Sequence, residues 1–222
     1  MLLAVDTSTR VIGVALYDGI RVLSEFSWFS KNHHTIELAP TVKTALDSIG
    51  ADETKLSAVG VAIGPGSFTG LRIGLALAKG LAMSRKIPII GIPTFDILAK
   101  AQPITDSSLV CVLEAGRRRF AVGWYLPSGE EWSPDGEIKN LTEESLIEEI
   151  HGPTRVCGEL NEALISRLAD MDEMITLALP SQSVRRPAVL AELAWDRFVD
   201  NEFDDPAMLK PIYLHHGTPI PE

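Results

Sequence analysis

Between residues 58 and 84 the chain runs from an apolar stretch of strand length, Ala58 to Ile63, into the glycine-rich loop Gly64-Pro65-Gly66-Ser67-Phe68-Thr69-Gly70. A helix with almost no polar face follows. Strand, glycine loop and helix in that order form half of an α/β unit, and backbone N–H groups at such a helix start can hold an anion. No Gly-Lys-Ser/Thr closes the loop, so it is not a P-loop. Pro65 stands where Gly-x-Ser-x-Gly needs its first glycine, which excludes a serine-hydrolase elbow. Ser67 or Thr69 is placed to cap the helix.

In that helix Leu71, Ile73, Leu75, Ala76, Leu77, Ala78, Leu81, Ala82 and Met83 are broken only by Arg72, Lys79 and the late Ser84-Arg85. A helix apolar all round must be buried on every side. Gly70, Gly74 and Ala78 recur every four residues, a narrow ridge that another helix can approach closely. The helix is either unusually central within the monomer or part of a protein–protein interface. The spacing favours the interface, formed by Gly70, Leu71, Gly74, Leu75, Leu77, Ala78 and Leu81.

The rest of the first hundred residues fits around this unit. Met1 to Val5 and Val11 to Tyr17 read as strands flanking the polar cluster Asp6-Thr7-Ser8-Thr9, and Asp18-Gly19 favours a tight turn into a third strand, Ile20 to Ser27. Leu38, Val42, Ala45, Leu46 and Ile49 repeat at helical spacing. A strand over 87–92 and a short helix over 95–101 complete β-β-β-α-β-α-β-α, a mixed sheet covered by helices.

The second half is less regular. Strands are expected over 109–113, 120–126, 155–157 and 175–179. Helices are expected from Thr142 to Ile150, over 162–169 and from Pro187 to about Val199. Residues 127–136 read as exposed turns. This gives two lobes, 1–101 and 102–222, the second opening with its own strand, polar turn and strand.

Charge and thiol content narrow the function. The net charge of −10 disfavours unaided binding to a phosphate backbone, which depends on Lys and Arg displacing counterions. Arg117, Arg118 and Arg119 form the one dense basic patch, either the solvated start of a strand or an anion site. Cys111 and Cys157 each lie in an apolar stretch, as buried free thiols do in a reducing compartment. No window approaches a membrane span, and the first apolar run ends at Asp6, too early for a signal peptide. The expectation is a cytoplasmic protein. His33 and His34 are adjacent, not four apart as a helical metal pair requires, and His215 and His216 lie in the tail; no metal site is expected.

Asp6-Thr7-Ser8-Thr9 can offer donors to phosphate oxygens, with Asp6 arranging a metal-bound water, or can form an Asx-type turn bonded to its own backbone. With the glycine loop it gives a candidate phosphate or nucleotide site of Asp6, Thr7, Ser8, Thr9, Gly64, Gly66, Ser67, Thr69 and Arg72. The corresponding turn of the second lobe reads Glu114-Ala115-Gly116-Arg117, a longer carboxylate where such turns place Asp. An Asp-led turn in an opening meander, loosely repeated in a second lobe, resembles the layout of the actin-like ATPase (ASKHA) folds.

The opening Leu3-Ala4-Val5-Asp6-Thr7-Ser8-Thr9 and the run Gly64-Pro65-Gly66-Ser67-Phe68-Thr69-Gly70-Leu71-Arg72 strongly resemble the TsaB family, also called YeaZ. Ile87-Pro88-Ile89-Ile90-Gly91-Ile92-Pro93-Thr94 and Pro211-Ile212-Tyr213-Leu214 extend the likeness along the chain. The resemblance implies a non-catalytic role in forming N6-threonylcarbamoyladenosine in tRNAs that read codons starting with A. It implies a heterodimer with the catalytic paralogue TsaD through first-lobe helices, an ATPase partner TsaE, and a homodimer when alone. tRNA would then be met indirectly, through the complex. No cofactor of its own is implied, which leaves ATP or ADP to the junction with the partner. The alternatives are a small-molecule kinase or peptidase of the same fold acting alone, and a dimeric regulator that binds nucleotide without hydrolysing it.

Overall fold

The computed structural model describes residues 1–31, 33–171 and 174–214. The chain divides into two compact units, one of Met1–Ile97 with Arg185–Ile212, the other built on Leu98–Val184. The first unit contains β1 (Leu2–Asp6), β2 (Val11–Tyr17), β3 (Val22–Phe29), α1 (His34–Ser48), β4 (Ala58–Gly64), α2 (Phe68–Arg85) and β5 (Ile89–Pro93). Its sheet runs in the order β3-β2-β1-β4-β5. The meander β1-β2-β3 is antiparallel, and β4 and β5 add parallel strands. The turn after β2 is held by Asp18, whose Oδ1 accepts the N–H groups of Ile20 and Arg21 at 2.9 and 2.7 Å.

From α3 (Thr94–Lys100) the chain passes into the second unit: β6 (Ser108–Glu114), β7 (Arg119–Ser128), β8 (Glu131–Pro134), β9 (Lys139–Thr142), α4 (Glu143–Glu148), β10 (Thr154–Gly158), α5 (Glu162–Ala169) and β11 (Ile175–Leu177). Its sheet order is β11-β10-β6-β7-β8, with β9 also paired to β7. Residues 127–136, expected as turns, hold the end of β7 and all of β8. β8 and β9 are strands because β7 supplies their hydrogen-bond partners; their short polar sequences carry no alternation of their own. Cys111 and Cys157 sit in register on β6 and β10, buried and not joined in a disulfide, their Sγ atoms 3.6 Å apart.

The last helix, α6 (Pro187–Val199), returns to the first unit. The division at 101/102, which gives 102–222 wholly to a second lobe, is therefore corrected. The physical reason is the alternation of the first sheet, whose two faces each need a cover. Leu3, Val5, Val14, Leu16, Val59 and Val61 point to α1 and α2. Leu2, Ala4, Ala15, Ala58 and Ala62 point the other way, against Leu190, Ala191 and Ala194 of α6. Small residues on this second face let α6 lie close: a Cβ on Gly60 would come within 2.6 Å of the Ala194 Cβ. In the second unit α4 and α5 contribute Leu146, Leu164 and Leu168 to one face of the sheet. No described helix is long and apolar enough to cross a membrane. His215 and His216 lie outside the described residues.

Candidate functional site

The Asp6 turn and the glycine loop meet. β1 ends at Asp6, and the turn Asp6–Thr9 lies under the loop that leads from β4 into α2. Ser67 N–H donates to the Ser8 carbonyl at 2.6 Å, and the Thr7 hydroxyl donates to the Gly70 carbonyl at 2.7 Å. Glycine is required here by close approach: a Cβ on Gly66, Gly70 or Gly74 would fall 2.2 Å from Ser8 O, Thr7 O or Thr7 Oγ1. Ser67 caps α2, its Oγ accepting the Gly70 N–H at 3.2 Å. Two segments far apart in the sequence are thus one structure.

That structure is closed. Asp6, Thr7, Ser8 and Thr9 are all buried. Asp6 Oδ1 accepts the Ser8 N–H at 2.8 Å, the Asx-type turn, and Oδ2 accepts Arg185 Nε at 2.9 Å with both side chains 2% exposed. Arg185 Nη2 also donates to Thr9 Oγ1 at 2.5 Å and to the Val11 carbonyl at 2.9 Å. Ser8 Oγ and Thr94 Oγ1 share a hydrogen bond of 2.9 Å, and His34 Nε2 lies 3.0 Å from the Thr9 carbonyl. Each side-chain oxygen of the turn has an internal partner. A carboxylate bonded to a guanidinium is poorly placed to order a metal-bound water as well.

Arg72 and Thr69 are not part of this cluster. Both are exposed, and the Arg72 guanidinium lies over the Phe68 ring at 5.1 Å from its centroid. Gly64 sits apart too, its φ of +110° and the nearby Ile212 carbonyl marking where residues 211–212 pass the end of β4. Arg185, Thr94 and His34 are the participants that sequence reasoning missed. Arg185 lies 179 residues from Asp6, and the pair Arg185-Arg186 before a proline-led helix carries no signal of such a contact. Among the described residues no group of three or more His, Cys, Asp or Glu could hold a metal ion.

The predicted interface ridge is corrected by its surroundings. Gly70, Leu71, Gly74, Leu75 and Ala78 are buried within the monomer, against Thr7 and the first sheet, while Leu77 and Leu81 are half-buried. The small residues serve the sheet, because the helix must lie close to the Asp6 turn. The helix does keep a face in water, made of Phe68, Thr69, Arg72, Ala76, Gly80 and Met83, with Phe68 57% and Met83 67% exposed. Between this face and α1 runs a groove of about 540 Å³ lined by Thr35, Leu38, Ala39, Phe68, Ile73 and Leu77, among others. Near the start of α1, hydrogen bonds from the Ser30 hydroxyl and the Trp28 indole hold the Glu37 carboxyl below the usual glutamate range.

A five-stranded mixed sheet opened by an Asp-led meander, followed by a second helix-covered mixed sheet, defines the actin-like ATPase fold. The structure is similar to YeaZ from Pseudomonas aeruginosa, with a TM-score of 0.78 at 24% identity, over 96% of this chain and 99% of that one. It is more distantly similar to the ROK hexokinase of Thermus thermophilus, with a TM-score of 0.50 at 12% identity, over 90% and 99% of the two chains. The profile described as "TsaD: tRNA N6-adenosine threonylcarbamoyltransferase" matches residues 28–137. The "tRNA threonylcarbamoyladenosine biosynthesis protein TsaB" of Bacillus subtilis is 30% identical over 96% of this chain and 93% of that protein. The chain belongs to the TsaB family.

Proposed function

We propose that this protein serves the formation of tRNA N6-threonylcarbamoyladenosine as a non-catalytic subunit that binds and activates a TsaD-type transferase through the groove between α1 and α2. The observation that carries the reading is the uncovered face of α2, where Phe68, Ala76 and Met83 are left in water beside an apolar groove. The relative's name supplies the pathway. Asp6 supports a role without autonomous ATP hydrolysis, since its carboxylate is bonded to Arg185. No cofactor of its own is assigned, and ATP or ADP belongs to the junction with the partner. TsaE joins as the complex's ATPase, tRNA is reached through the complex in the cytoplasm, and a second copy closes the groove when the partner is absent.

Co-expression with the TsaD of the same genome, followed by sizing and a tRNA modification assay with TsaE added, tests this. A stable complex is expected, with modification only when all three proteins are present. Failure to co-purify with TsaD, or full modification without this chain, overturns it. The kinase alternative needs an Asp6 carboxylate free to serve a metal, and ATP turnover by the isolated chain that Asp6→Ala abolishes would favour it instead.

A further inference from the structure

We propose that the turn between β6 and β7 is a carboxylate-binding tip that docks an acidic segment of a partner protein, a contact carried by the second unit and not by α1 and α2. Arg117 and Arg118 are the central residues of this turn, which closes through a hydrogen bond from Arg119 N–H to the Gly116 carbonyl at 3.0 Å. Both have positive φ, +51° and +58°, as a type I′ turn requires of its central pair. Asn and Gly satisfy that requirement cheaply, and two arginines do not. The base of the turn is fastened: Ala115 N–H donates to the Arg119 carbonyl at 2.9 Å, and Arg119 Nε donates to Asn140 Oδ1 at 3.0 Å. The backbone holds two exposed guanidinium groups on a rigid hairpin, at a conformational cost.

The electrostatic surroundings point the same way. Among the described residues of the second unit, the other cations have partners. Lys100 pairs with Glu131, Lys139 with Glu149, and Arg167 with Glu143 and Glu144. Arg119 bonds Asn140, and Arg155 bonds Gln102 and Gln182. Arg117 and Arg118 make no hydrogen bond or ion pair with a described residue, although acidic residues far outnumber basic ones between residues 98 and 184. At the base of the turn Glu159 Oε2 accepts the Glu114 N–H at 3.3 Å. Two planar forks fit one or two carboxylates in bidentate fashion. Two guanidinium groups fall short of the many phosphate contacts on which nucleic-acid affinity depends.

The test uses the full chain and does not depend on TsaD, so its failure leaves the α1–α2 reading standing. A fluorescent peptide of consecutive glutamates is titrated at low salt against a glutamine peptide and a single-stranded RNA of similar length. Wild-type protein is expected to prefer the glutamate peptide, and salt is expected to weaken the binding. Arg117→Asn combined with Arg118→Gly keeps the turn and removes both charges. It should melt no lower than the parent and bind the glutamate peptide at least about tenfold more weakly, the scale of one lost charge-assisted hydrogen bond. Arg117→Gln with Arg118→Gln is the second variant, with the same expected loss. Equal binding of the glutamate and glutamine peptides, undiminished binding by both variants, or a preference for RNA that these substitutions remove would overturn the proposal.

Discussion

Arg185 Nε donates to Asp6 Oδ2 at 2.9 Å, with each side chain 2% exposed, so the residue that opens the polar turn of β1 is neutralised from the segment just before α6. Removing one partner leaves the other charge buried and unpaired. Arg185→Ala should therefore destabilise the protein by about 3–5 kcal/mol, a loss that denaturant melts would read directly. Asp6→Asn combined with Arg185→Met should cost less than Arg185→Ala alone. A double variant weaker than the single one would show that the arginine's other bonds, to Thr9 and Val11, dominate.

Gly74 provides a second test of the same region. A Cβ there would lie 2.2 Å from Thr7 Oγ1, and 3.4 Å from the next atom of Thr7. Gly74→Ala should lower stability by about 1–3 kcal/mol despite alanine's better helix propensity, because the overpacking exceeds the gain. In a Thr7→Ala background the clash is gone, and Gly74→Ala should cost less than in the parent. Equal costs in the two backgrounds would place the strain elsewhere.

On the open face the expectation reverses. Gly80 has no atom within 4 Å of its would-be Cβ, so Gly80→Ala should stabilise the partner-free monomer by about 0.5–1 kcal/mol. Ala76→Arg, also exposed, should leave the melting curve of the monomer within about 0.5 kcal/mol of the parent. It should also abolish co-purification with TsaD. If Ala76→Arg binds normally, the groove between α1 and α2 is not the docking surface.

Glu37 gives a pH signature. Its folded pKa is held below the ordinary glutamate value by hydrogen bonds from Ser30 and Trp28, with smaller help from His33 and His34. A carboxylate depressed in this way contributes stability above its unfolded pKa, and that contribution is lost as pH falls through the lower folded pKa. In a variant retaining Trp28 as its one tryptophan, indole fluorescence should titrate with a midpoint below the normal glutamate range. Glu37→Gln should remove the transition.

Much of this was legible in the residues. The apolar run of 58–63, the glycine loop and the periodicity after it marked β4 and α2, and the stretches 162–169 and 187–199 are helices as read. Likeness at Asp6–Thr9 and Gly64–Arg72 pointed to the family to which the full-length comparison assigns the chain. These signals are local, written in the spacing of neighbouring side chains. β8 and β9 lack such spacing, because they are strands through pairing with β7 and not through their own pattern.

The glycine loop and the polar turn beneath it show where local information stops. Sequence by itself determined that a strand, a close-packed glycine loop and an apolar helix follow one another, since each is a matter of period and backbone freedom. Tertiary structure alone decided that the glycines face Thr7 and Ser8, that Asp6 is bonded to a residue 179 positions away, and that the free face of α2 is Arg72–Ala76–Met83 and not Gly70–Gly74–Ala78. The reason is geometric. Which side of an all-apolar helix meets the sheet depends on what lies opposite, and that partner comes from elsewhere in the chain.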